Sequence, residues 1–250
     1  MAADNIIEAR GLTRRFHGFA AVSEVDLDVR RHSIHALIGP NGAGKTTFFN
    51  LITKFLAPSE GTIRYNGDDI TSESPARVAR RGIVRSFQIS AIFPRMTVAE
   101  NVRIALQRPL GTSFRFWQSE RSLERLAGRV DELLDAVGLT AWRDQSAAGL
   151  PYGRKRALEF ATTLALEPEL MLLDEPTSGL GSEDVDRIAE LIRKVSANRT
   201  ILMVEHNLSV VARLADTITV LARGKVLAEG PYAEVSADPR VVEAYIGGEE

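Results

Sequence analysis

Gly39-Pro40-Asn41-Gly42-Ala43-Gly44-Lys45-Thr46 constrains this chain more than any other stretch of it. These residues fit G-x-x-x-x-G-K-[ST] and follow the apolar run Ile34-His35-Ala36-Leu37-Ile38, with a helix predicted to start near Lys45. Strand, glycine-rich turn and helix in that order make a phosphate-binding loop. The glycines let the backbone wrap a pyrophosphate closely, several N–H groups point at it, and the helix N-terminus adds the positive end of its dipole. In this reading Lys45 reaches the β- and γ-phosphates and the Thr46 hydroxyl is a Mg²⁺ ligand.

A second run, Met171-Leu172-Leu173-Asp174-Glu175, sets two acids directly after an apolar strand. In a parallel sheet that is the crevice at the carboxyl ends of the strands, where ligands of α/β proteins sit. Two adjacent acids can divide the work: Asp174 holds Mg²⁺, directly or through water, and Glu175 orients or deprotonates an attacking water.

Around these motifs the chain reads as a βαβ protein with additions. Residues 6–10 and 25–38 are β-type runs, Gly61–Tyr65 is a strand closed by the turn Asn66-Gly67, and Gly82–Phe87 is another strand. From 97 to about 166 the pattern turns helical, opening on Thr97 and Glu100 at capping-box spacing. Leu123, Leu126, Val130, Leu133, Leu134 and Val137 then recur on one helical face. The nearly all-apolar runs Leu170–Leu173 and Thr200–Val204 resume a buried parallel sheet, and residues 216–229 close with a hairpin turning at Arg223-Gly224. No linker-like stretch interrupts the 250 residues, which predicts one compact unit.

Composition removes several alternatives. With 31 Lys and Arg against 33 Asp and Glu, the net charge of −2 gives no bulk cationic field, so no nucleic-acid partner is expected. The absence of cysteine excludes disulfides, thiolate metal sites and cysteine nucleophiles. No apolar run reaches the roughly 18 to 20 residues of a membrane span. The N-terminus carries early acids instead of a basic region followed by an apolar stretch, so the chain is expected to stay in the cytosol.

Together these features resemble the ATP-binding cassette (ABC) ATPases across nearly the whole chain. The resemblance implies an α/β fold: a P-loop NTPase (RecA-like) core with an antiparallel β subdomain, over 1–90 and 167–250, and a helical subdomain inserted at 91–166. It implies ATP and Mg²⁺ as cofactors, bound by the loop residues Gly39, Pro40, Asn41, Gly42, Ala43, Gly44, Lys45, Thr46 and Thr47. Gln88 matches the Q-loop glutamine, which senses Mg²⁺ and the γ-phosphate and faces the transmembrane partner. His206, after the apolar run ending at Val204, matches the switch histidine that contacts the γ-phosphate. Phe16 stands where the family keeps an aromatic that stacks on adenine. Leu150-Pro151-Tyr152-Gly153-Arg154 stands where the Leu-Ser-Gly-Gly-Gln signature falls, so Tyr152 and Gly153 are expected to meet nucleotide held by a second subunit.

Two departures concern that second half-site. Pro151 replaces the signature serine, and the D-loop reads Ser178-Gly179-Leu180-Gly181 where an Asp is common in the last position. The Leu-x-Tyr-Gly signature, the Arg80–Gln88 segment and the tail Asp238–Gly247 are similar to the ATPases of bacterial branched-chain amino-acid importers, with relatives that carry urea, short amides or other small polar solutes. The implied partners are integral membrane permease subunits, a second ATPase that is identical or paralogous, and indirectly a periplasmic or extracellular solute-binding protein. The implied location is the cytoplasmic face of a bacterial cell membrane, where the chain sits as a peripheral subunit. A soluble ABC ATPase of DNA repair or translation is the alternative, but long coiled-coil insertions, a second cassette and a strongly basic face are missing. Ser113–Trp117 reads as a subdomain core cluster, with permease contact as the alternative. Arg77, Arg80, Arg81 and Arg85 read as a solvated basic face, with lipid headgroups as the alternative.

Overall fold

A computed structural model describes residues 4–86, 92–108 and 126–246. The chain separates into two compact units. One holds the residues up to Arg85, Glu169–Ser178 and those from Ile192 onward, and the other holds Ser86–Pro168 and Gly179–Leu191.

The first unit contains two sheets. Strands β1 (Asn5–Phe16), β2 (Phe19–Arg30), β4 (Glu60–Tyr65) and β5 (Asp68–Asp69) pair antiparallel in the order β2-β1-β4-β5. The larger sheet has the order β10-β9-β3-β8-β7-β6, from β3 (Ile34–Ile38), β6 (Ile83–Ser86), β7 (Leu170–Asp174), β8 (Thr200–Val204), β9 (Thr217–Ala222) and β10 (Lys225–Gly230). Strand β3 lies between β8 and β9, parallel to both, and every residue of β3, β7 and β8 is buried. That burial is why those strands read as unbroken apolar runs and not as alternations. Helix α1 (Lys45–Ile52) contributes Phe48, Phe49, Leu51 and Ile52 to a core that also takes Ile7, Leu27 and Ile63 from the antiparallel sheet and Leu37, Leu172 and Leu202 from the parallel one. Short helices α2 (Pro75–Arg80), α7 (Leu208–Leu214), α8 (Tyr232–Ala237) and α9 (Pro239–Ile246) complete this unit.

The single β-run expected over 25–38 is two strands in different sheets. β2 ends at Arg30 with alternating burial, Arg31 to Ser33 turn with His32 at φ 54°, and β3 begins fully buried. Continuous β-type composition hides the turn, because only the change from period-two to unbroken burial marks the crossing from one sheet to the other. Asn66-Gly67 and Arg223-Gly224 form the expected tight hairpin turns, with both residues of each pair at positive φ.

In the second unit α3 (Val98–Gln107), α4 (Ala127–Ala136) and α5 (Tyr152–Leu164) pack on one another, and Val98, Val102, Val130, Leu134, Leu158 and Ala161 on them are buried. The capping box opening α3 is formed: Thr97 Oγ1 accepts from the Glu100 amide at 3.1 Å and Glu100 Oε2 accepts from the Thr97 amide at 2.7 Å. Helix α6 (Ser182–Ser196) begins in this unit and ends in the other. Leu123 and the Ser113–Trp117 cluster lie outside the described residues. No helix among those described is long and apolar enough to cross a membrane.

The sheet that positions the phosphate loop also buries a titratable group. His35 on β3 is 1% exposed, its Nε2 lies 2.8 Å from Thr219 Oγ1, and that hydroxyl donates to Glu229 Oε2 at 2.5 Å. Burial pushes the imidazole down to about 4, against the opposing charge of Asp28. Between about pH 6.5 and pH 4 the unfolded chain therefore binds a proton that the folded chain refuses, so this contribution to stability is complete above pH 6.5 and is lost as pH falls. The expected loss is roughly 3 kcal/mol. Urea unfolding at pH 7.5, 6 and 4.5 checks it: the stability advantage of the native chain over His35→Gln should shrink as pH drops.

Candidate active site

The phosphate loop hangs between the end of β3 and the start of α1, and its shape depends on glycine at two close approaches. A Cβ on Gly39 (φ 147°) would stand 2.0 Å from the Leu221 carbonyl oxygen of β9, and one on Gly44 (φ 106°) 2.4 Å from the Ala21 carbonyl oxygen of β2. Gly44 is the N-cap of α1 and makes no side-chain cap, so the first amides of that helix keep their donors for another acceptor. Lys45 Nζ donates to the carbonyls of Gly39 at 2.6 Å and Pro40 at 2.9 Å. Burial pushes its ammonium down, while the nearby charges of Glu175 and Asp174 push it back up.

One cavity of about 210 Å³ opens over this loop, lined by Asn41 to Thr47 together with Glu175 and His206. Glu175 follows β7 at φ 47°, its amide donating to the Val204 carbonyl at 2.9 Å, and its Oε1 lies 3.0 Å from His206 Nε2. Two residues that are 31 apart in sequence therefore meet because β7 and β8 are parallel neighbours whose ends coincide at Asp174 and Val204. A carboxylate paired with an imidazole beside a loop of amides and a lysine can orient a water and stabilise charge on a phosphoryl group.

Asp174 ends β7, is 7% exposed, and its Oδ2 accepts from Arg85 Nη2. Arg85 also donates to Asn50 Oδ1 on α1 at 2.6 Å and stands over the Phe49 ring. It is therefore a half-buried partner of Asp174 and no part of a solvated or lipid-facing basic run; Arg77, Arg80 and Arg81 are exposed, and Arg81 pairs with Glu73 and Asp68. Sequence reading missed this pair. The available signal was an arginine directly after Ile83-Val84 at the start of a strand, since a guanidinium drawn into a sheet calls for an acid.

Phe16, Tyr152 and Gly153 do not line this cavity. Phe16 is at the tip of the β1–β2 hairpin, 37% exposed, opposite Phe19 and with the Arg14 guanidinium 4.8 Å above its ring; it does not line the cavity. Gln88 lies outside the described residues. Tyr152 and Gly153 belong to the second unit, at the start of α5, where Pro151 occupies the N-cap without a side-chain cap. Tyr152 is exposed, and Gly153 is buried so closely against Asp184 that a Cβ would stand 2.2 Å from its Oδ2. Asp184 is held by Arg187 at 2.6 Å.

A family model described as ABC transporter matches residues 22–178, and a second, described as Branched-chain amino acid ATP-binding cassette transporter, matches residues 225–250. The chain is 38% identical to the high-affinity branched-chain amino acid transport ATP-binding protein BraF of Pseudomonas aeruginosa, over 97% of this chain and 98% of that protein. It is 37% identical to the corresponding protein LivG of Escherichia coli K12 over the same shares. Among solved structures it resembles the ADP conformation of MJ1267, an ATP-binding cassette of an ABC transporter, with a TM-score of 0.84 and 30% identity, covering 97% of this chain and 99% of that one. Loop, paired acid and histidine, sheet order and near full-length similarity agree, and the chain belongs to the ATP-binding, ATP-hydrolysing subunits of ABC transporters.

Proposed function

We propose that this chain hydrolyses MgATP as a peripheral subunit on the cytoplasmic face of the membrane, driving import of branched-chain amino acids or related small polar solutes. The observation that carries the hydrolytic part is the 3.0 Å approach of His206 Nε2 to Glu175 Oε1 at the rim of the Lys45 loop. Glu175 orients and takes the proton of the attacking water, His206 holds Glu175 and the γ-phosphate, and Lys45 with the loop amides binds the β- and γ-phosphates. The solute class rests on similarity to BraF and LivG, whose names state branched-chain amino-acid transport.

The donor set fits Mg²⁺. Thr46 lines the cavity and Asp174 ends β7 directly before Glu175, and both offer the hard oxygens that Mg²⁺ takes alongside phosphate and water. Gln88 is the further expected ligand. Bound there, the ion would neutralise charge on the transferring phosphoryl group. Phe16 is the proposed adenine platform.

Permease subunits, a second identical or paralogous ATPase and, indirectly, a solute-binding protein outside the membrane are the partners this reading requires. Tyr152 and Gly153 would then face nucleotide on the second ATPase. Because the chain has no cysteine, single cysteines introduced in residues 88–120 report contacts cleanly. Cross-links in cells to integral membrane subunits are expected; cross-links confined to soluble proteins would favour a repair or translation factor and reject the importer.

A further inference from the structure

Glu205 immediately precedes His206, is 3% exposed, and has no part in the chemistry described above. Its Oε1 accepts from Thr177 Oγ1 at 2.8 Å and from the amides of His206 and Asn207, each at 3.2 Å, and its Oε2 accepts from the Thr177 amide at 3.4 Å. No Lys or Arg among the described residues pairs with it. A buried carboxylate without a counter-cation depends wholly on such donors, and four donors aimed at two oxygens suit the acceptor-only, ionised form. The donors come from two loops. Thr177 stands two residues after Glu175, and His206 and Asn207 form the turn from β8 into α7, whose first amides Asn207 caps.

We infer that Glu205 is a positioning residue for ATP hydrolysis: it ties the loop carrying Glu175 to the loop carrying His206 and so sets the 3.0 Å contact between them. The inference rests on the hydrolytic reading of that pair. Glu205 does not line the cavity over the phosphate loop. It acts on turnover through His206, because a displacement of about 1 Å in a paired catalytic group is enough to cost a large part of the rate.

In the full-length chain with MgATP, Glu205→Gln puts an amide N–H₂ against donors. It should lower kcat about tenfold while leaving the KM for ATP within about twofold, as expected for an interaction that matters only in the transition state. On a His206→Ala background the same substitution should cost nothing further, measured by single-turnover hydrolysis, since two groups acting as one unit are not additive. A native kcat in Glu205→Gln, a rise in KM alone, or an equal loss on both backgrounds would overturn the inference. If Glu205→Gln fails to fold by urea unfolding, Thr177→Val decides: the same kcat loss at constant KM, largely recovered by Thr177→Ser, supports the inference, and native turnover in Thr177→Val rejects it. Full turnover in both Glu175→Gln and His206→Ala would instead reject the reading of the pair itself.

Discussion

Replacing Glu175 by Gln should lower ATP turnover by about 10²–10⁴-fold, the range a positioned general base contributes, while MgATP still binds. Gln keeps the shape and can stay within hydrogen-bonding distance of His206 Nε2, so the cavity over the phosphate loop remains formed. What is lost is the negative charge that accepts the proton of the attacking water. With hydrolysis stalled, bound ATP should accumulate and hold two ATPase subunits closed over it. Steady-state turnover, ATP binding and sedimentation with and without MgATP check the three parts separately. Native turnover would remove Glu175 from the role.

Lys45→Ala should fail in the opposite way, by losing the nucleotide. One hydrogen bond between a charged donor and a phosphate is worth about 1.5–3 kcal/mol, so the Kd for MgATP should rise by about ten- to a hundredfold. Ala is the best helix former and Lys45 is the first residue of α1, so the helix itself should persist. The carbonyls of Gly39 and Pro40 lose their ammonium donor. Titration with a fluorescent ATP analogue measures the affinity, and near-native thermal unfolding shows that the loss is local. An unchanged Kd would mean that the loop amides alone hold the phosphates.

The two failures differ because the two residues come from different parts of one sheet, and that difference governs what the sequence could reveal. The phosphate loop is local: eight consecutive residues between a strand and a helix carry its meaning, and β7 and β8 announce themselves as buried by unbroken apolar runs. The Glu175–His206 contact was legible only as an order of residues along the chain, since its 3.0 Å comes from the parallel register of β7 with β8. Less still was legible where a side chain answers to distant backbone. Gly39 must be glycine because β9 lies beside β3 and puts the Leu221 carbonyl against it. Arg85 looked like one of four basic residues near α2 until the sheet order placed β6 beside β7 and Asp174 within its reach. Pro151 is similar: the sequence marks a missing hydroxyl, and the fold adds that this residue is the N-cap of α5, where a side-chain acceptor would otherwise serve the helix.

ATP-driven amino-acid uptake tests the account most directly. The chain would be assembled with its permease subunits in proteoliposomes, with MgATP enclosed on the ATPase side and leucine with the solute-binding protein on the other. The account predicts leucine accumulation together with leucine-stimulated ATP turnover for the native chain, and neither for Glu175→Gln. Turnover indifferent to leucine and binding protein, or uptake that survives Glu175→Gln, would contradict it.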